Sequence, residues 1–130
     1  MAEYLPIRTP GDALVATASA SITGGNLVAV SGNGTVATAG ANALNWVGVA
    51  AFDAVNGDSV TVYAGGVQEL TASGAITAGD LVVSAASGKV SSLAAVTTPT
   101  AGDVTGTRAV VGVALTTAAD TAKVRVKFER

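Results

Sequence analysis

The chain has 130 residues, of which 49% are apolar, 4% aromatic and 12% charged, with a formal net charge of −2. It contains neither cysteine nor histidine, which excludes disulfides, thiolate metal sites, cysteine nucleophiles and the usual acid–base group of neutral pH. A slightly acidic chain without a polybasic run offers no field for nucleic acid or anionic lipid, and no window approaches the ~18 apolar residues of a membrane span, so neither partner is expected.

The length suits one compact domain. Residues 1–11 carry Pro6 and Pro10, which hold their predecessors extended, and read as an N-terminal arm. Its apolar residues Tyr4, Leu5 and Ile7 either pack back on the domain or dock on another protein. No apolar signal segment is visible there, so synthesis and retention in a cytoplasm are expected. Residues 12–130 read as a single β domain. Its first strand lies near Ala13 to Ala18, followed by a hairpin from Leu27 with Asn33-Gly34 at the turn, and a strand over Asn45 to Ala51. Phe52 to Asp58 is a wide turn with room for one helical turn, and Val60, Val62 and Tyr63 lead into a further strand.

From Val67 the pattern returns. Ile22, Leu27 and Val36 recur 54 positions later as Ile76, Leu81 and Val90, whereas Gly48, Val60 and Val62 recur 64 positions later as Gly112, Val124 and Val126. The chain is thus a duplication, with repeat one over about 12–65 and repeat two over about 66–130. The ten extra residues of the second copy fall within 91–108, where Thr97 to Asp103 reads as loop. Glycine, valine and threonine dominate, helix formers are few, and the turns recur every ten residues or so; the expected fold is all-β, a small barrel or sandwich built from two pseudo-repeats. The last strand, Lys123 to Arg130, alternates cleanly, placing Val124, Val126 and Phe128 on the buried face and Lys123, Arg125 and Lys127 opposite.

No chemistry-bearing motif withstands inspection. Gly32-x-Gly34 runs on into a strand, so no helix N-terminus follows to hold a phosphate, and Gly88-Lys89 reads as a hairpin turn. Asn33-Gly34-Thr35 matches a glycosylation sequon but reads as a turn. Asp53, Asn56 and Asp58 miss the spacing of a calcium loop, and the acids fall singly at turns or termini instead of converging as a catalytic pair. No enzyme activity, metal or cofactor is expected. Trp46, the sole tryptophan, is either core or a subunit contact. Four of the seven basic residues crowd the final eight positions, either as a solvated edge or as a docking strip for an acidic partner.

The proline-bearing arm, Ala-Ser-x-x-Ile-Thr-x-Gly, Val47-Gly48-Val49-Ala50, Gly57-Asp58-Ser59-Val60-Thr61-Val62-Tyr63 and Val124-Arg125-Val126-Lys127, in this order, resemble the capsid cement, or head decoration, proteins of tailed bacteriophages. The likeness is carried by Ala20 to Val30, Val47 to Ala50, Gly57 to Tyr63, Ala72 to Leu81 and Gly112 to Arg125. It implies a non-enzymatic virion protein on the capsid exterior that binds the major capsid protein, forms a homotrimer and strengthens the shell. Candidate capsid or subunit contacts are then Tyr4, Leu5, Pro6, Ile7 and Arg8 of the arm, Trp46, and Lys123, Arg125, Lys127 and Arg130 of the last strand. The rival reading is a tail, fibre or surface β-module that binds carbohydrate or a receptor, which would display exposed aromatics near polar turns. An enzyme working with serine, threonine or acids is a second rival.

Overall fold

The computed structural model describes residues 13–95 and 97–130. Ten strands follow one another: β1 Leu14–Ala18, β2 Leu27–Gly32, β3 Thr35–Thr38, β4 Trp46–Ala50 and β5 Ser59–Tyr63, then β6 Val67–Thr71, β7 Leu81–Ser84, β8 Val90–Ser92, β9 Val110–Ala114 and β10 Lys123–Phe128. The fold is all-β apart from a 3-10 turn at Ala86–Gly88 and one helix, α1, at Ala101–Arg108.

The first five strands close into a barrel in the order β1-β3-β2-β4-β5, with β1 antiparallel to β5 and parallel to β3. The last five form a sheet ordered β6-β10-β9-β7-β8. This is the same circuit opened at one seam, where β6 and β8 meet only through a parallel bridge from Ala72 to Val90. That bridge is the counterpart of the Ala18–Val36 pair that closes the first barrel. The repeat extends to single hydrogen bonds. Ile22 N–H donates to Ala54 O and Ile76 N–H to Ala118 O, both at 2.8 Å, while Gly25 N–H to Ala50 O at 2.8 Å is matched by Gly79 N–H to Ala114 O at 2.7 Å.

The interiors match residue for residue. Ala18, Ile22, Val28, Val36, Ala50, Ala54, Val60 and Val62 fill the first barrel. Their counterparts Ala72, Ile76, Val82, Val90, Ala114, Ala118, Val124 and Val126 fill the second unit. A five-stranded circuit has a narrow lumen, and alanine and valine are what it can hold. Each fully buried valine contributes about 1.5–3 kcal/mol.

Between the two units lies a seam. Leu27, Trp46 and Val49 point out of the first barrel, yet they are buried and belong to the same apolar cluster as the interior of the second unit and Phe128. Polar groups cross it as well: Gly88 N–H donates to Ala39 O at 2.9 Å, Asn42 N–H to Ser84 O at 3.1 Å, and Ala43 N–H to Ser84 Oγ at 2.7 Å. Ser84 is accordingly the one buried polar residue among those described. Approach at this point demands glycine, since a Cβ on Gly88 would lie 2.7 Å from Asn26 Cβ and 3.0 Å from Leu27 O.

Two expectations need correction. The insertion within 91–108 is not all loop: Thr100 and Asp103 form a capping box, in which Asp103 Oδ2 accepts from Thr100 N–H at 2.7 Å and Thr100 Oγ1 accepts from Asp103 N–H at 3.4 Å, and α1 follows. The segment Phe52–Asp58 contains no helical turn; Ala54 is instead held flat by its bridge to Ile22.

Candidate interaction surfaces

The outer face of β10 is built by strict alternation. Lys123, Arg125 and Lys127 are exposed between buried Val124, Val126 and Phe128, and in register they face Thr71, Glu69 and Val67 of β6. Lys123 Nζ donates to Thr71 Oγ1 at 2.9 Å, and Arg125 Nε lies 3.8 Å from Glu69 Oε2 across an exposed pair. Lys127 has no carboxylate within ion-pair distance among the described residues. In repeat one the same three positions are Ser59, Thr61 and Tyr63, so the positive strip belongs to repeat two alone.

Arg130 has a different place from the one its neighbours suggest. Its guanidinium stacks 4.4 Å from the centre of the Trp46 ring and donates to Trp46 O at 3.2 Å and Leu44 O at 3.3 Å, tying the segment after β10 to the first barrel. Trp46 is fully buried and meets Phe128 edge-on with ring centres 5.3 Å apart. It is the anchor of the seam within this chain. Tyr4, Leu5, Pro6, Ile7 and Arg8 lie outside the described residues.

The aspartates of the described loops are occupied by turns and caps. Asp53 Oδ1 accepts from Gly24 N–H and Asp120 Oδ1 from Gly74 N–H, each at 2.8 Å. Asp80 Oδ2 accepts from the Ser92 hydroxyl at 2.6 Å and from Thr77 N–H at 3.0 Å. The Ser92 hydrogen bond, then the Thr77 amide, hold the Asp80 carboxyl below its ordinary value of 3.8. A depressed folded value means that the ionised group stabilises the fold above about pH 4, and that this contribution disappears as the pH falls through the lowered value. Asp80→Asn, measured by urea unfolding between pH 2 and 7, is expected to flatten the acid limb and to leave only a small loss near neutrality. An unchanged acid limb would show that the contact does not discriminate the two protonation states. Among the described residues no group of three acids, histidines or cysteines is placed to hold a metal ion, and no helix is long and apolar enough to cross a membrane.

The feature that sequence reasoning missed is an open groove of about 450 Å³ on the outer face of the second unit, lined among others by Leu81, Val110, Val113, Lys127, Phe128 and Glu129. Part of its floor is one lateral row: Lys127 on β10, Val113 on β9 and Leu81 on β7 stand side by side in the ladder, with Val67 on β6 next in register. The signal for it was present in the comparison of the repeats. Trp46 faces Val110 in the alignment and Phe128 faces Ala64, so the two halves differ in bulk here.

Comparison with known proteins agrees with the fold and supplies the class. The crystal structure of the head fiber gp8.5 N base of bacteriophage phi29 superposes with a TM-score of 0.66 over 91% of this chain and 93% of that chain, at 20% identity, a level at which the likeness speaks for the fold. No curated protein matches the sequence. The phage cement protein family matches residues 9–128, which takes in both repeats, the insertion and the basic strand. The chain belongs to the phage cement protein family and is a virion structural protein of the capsid exterior.

Proposed function

We propose that the chain is a non-enzymatic decoration protein that binds the major capsid protein, assembles as a homotrimer and stabilises the filled head. The observation that carries the binding mode is the basic strip. Lys123, Arg125 and Lys127 stand on one exposed face of one strand, in a protein whose net charge is negative, and repeat one has no charge at the equivalent positions. β10 is paired on both sides, by β6 and β9, so its cations protect no sheet edge; three cations with one weak carboxylate neighbour leave positive potential available to an acidic surface of the shell. The arm residues Tyr4 to Arg8 supply a second contact in this reading. Asp53, Asp58, Asp80, Asp103 and Asp120 serve turns and caps, which supports a structural role over hydrolysis.

Exposed charge pairs contribute about 0–1 kcal/mol each and are screened by salt. Replacing Lys123, Arg125 and Lys127 together by glutamine is thus expected to leave the melting temperature of free protein within about 3 °C, because none of the three is buried. Cosedimentation with heads at low ionic strength should weaken about tenfold, corresponding to ~1.4 kcal/mol. Attachment with the same salt dependence in wild type and triple variant would assign the strip to solvent.

A further inference from the structure

We propose that the exposed apolar row of the second unit, centred on Leu81, Val110 and Val113, is the docking surface for the first barrel of another copy of this chain, so that copies join head to tail. The inference rests on the self-association in the preceding reading and names the surfaces that carry it.

The argument is one of repeats. Leu27 and Leu81 occupy the same position of the two circuits, as do Val49 and Val113. In the first barrel Leu27 is 0% exposed and Val49 is 5% exposed, because the second unit covers them. In the second unit Leu81 is 47% exposed and Val113 is 38% exposed, with the groove open above them. One face, present twice in the chain, is used once.

The hairpin part of the surface that does the covering also occurs twice, while Ala64 stands in the place of Phe128. Within the chain, the β7–β8 hairpin reaches the first barrel through Ser84 and Gly88, and β10 through Phe128. The corresponding hairpin of the first barrel joins β2 to β3, with Val30 in the place of Ser84 and Gly34 in the place of Gly88. Val30 is exposed, and a Cβ on Gly34 would meet nothing within 4 Å, so this hairpin is unoccupied as well. Gly34 also keeps the absence of side chain that let Gly88 come close to Asn26 and Leu27. Each chain therefore carries one satisfied contact between its halves, one vacant copy of the receiving face and one vacant copy of the inserted hairpin. The vacant pair is complementary in kind and lies on different faces, which makes the contact heterologous: it closes a ring if the rotation between units permits, and otherwise extends. Three chains in a closed ring would place six similar units around one axis. The hairpin tip, Ser31 to Gly34, is uncharged, so it adds no charge of its own to a groove whose lining already holds Lys127 and Glu129.

The absence of cysteine makes the test direct. Leu81→Cys and Asn33→Cys are prepared as separate full-length variants and oxidised alone and mixed, both free in solution and after saturating heads. The expected result is a disulfide joining Cys at 81 of one copy to Cys at 33 of another, formed in the mixture and absent from either variant alone. A second variant, Leu81→Glu, is expected to reduce the light-scattering mass of any free assembly to that of one chain and to keep the melting temperature, since the side chain is exposed. Self-linking of Leu81→Cys would overturn the proposal by showing a face-to-face contact. Linking of Leu81→Cys to the shell protein would overturn it in favour of the shell as occupant. No link in solution or on decorated heads would overturn it also, and would leave the decoration reading standing. A link between 81 and 33 in a protein that does not bind heads would support this contact and sink the decoration reading instead.

Discussion

Gly112→Ala and Gly48→Ala are each expected to lower stability by about 3 kcal/mol, at or beyond the upper end of ordinary overpacking. At Gly48 a Cβ would strike Tyr63 O and lie 2.8 Å from Val62 Cγ1 and 3.0 Å from Tyr63 C; at Gly112 it would strike Lys127 O and lie 2.8 Å from Lys127 C and 3.1 Å from Phe128 Cα. In both cases most of the obstacle is backbone of the neighbouring strand, which cannot rotate away as a side chain can. The ladder is already irregular here, with register shifts between Val28 and Ala29 against β4 and between Val82 and Val83 against β9. A narrow circuit coils most tightly at such points, and the glycine is what lets two strands come together. Urea unfolding measures the loss, with Val15→Ala, on an exposed side chain, expected within about 0.5 kcal/mol of wild type as the control. Two glycine variants as stable as that control would show that the strands separate at little cost.

Trp46→Ala should cost about 3–5 kcal/mol. The indole is the largest buried side chain, and its removal opens the seam from the side of the first barrel, leaving Phe128 without its edge-on partner and Arg130 without the ring it covers. Trp46→Phe should cost markedly less, because Trp46 Nε1 has no hydrogen-bond partner and phenylalanine removes that buried donor along with part of the volume. A double-mutant cycle of Trp46→Ala with Arg130→Ala is expected to give a coupling of about 1 kcal/mol from the stacked cation. Additive losses would mean that Arg130 is held by the Leu44 and Trp46 carbonyls alone.

The duplication made the strands legible before any coordinates. Positions separated by 54 and 64 residues turn out to share hydrogen bonds and burial, and the change of offset located the insertion between β8 and β9. The alternation of Lys123 to Phe128 was legible for the same reason that strands are: a period of two has only two faces. The helix was harder to see, because Gly102, Val104, Thr105, Gly106 and Thr107 are weak helix formers and only Thr100-x-x-Asp103 announced it. The place of Arg130 was not legible at all. Its partners, Leu44 and Trp46, are more than eighty positions away, and a charged residue at the end of a basic strand looks like part of the strip until the fold brings the indole beneath it. Nor does anything in Leu27 and Leu81, the same residue in the same local sequence pattern, say which of the two is covered. That depends on how one repeat sits on the other.

The seam also sets an order of events during synthesis. The interior of the first barrel is drawn wholly from residues 14–62, so this half can close while the rest of the chain is still being made. Its outer face cannot be completed then. Leu27, Trp46 and Val49 wait for Phe128 and Arg130, which are made more than eighty positions after Trp46. Until those residues are made the nascent chain thus displays a bare apolar face on a closed barrel, and a polypeptide halted before Phe128 keeps that face bare. Synthesis of β10 and Arg130 is the step that covers this face.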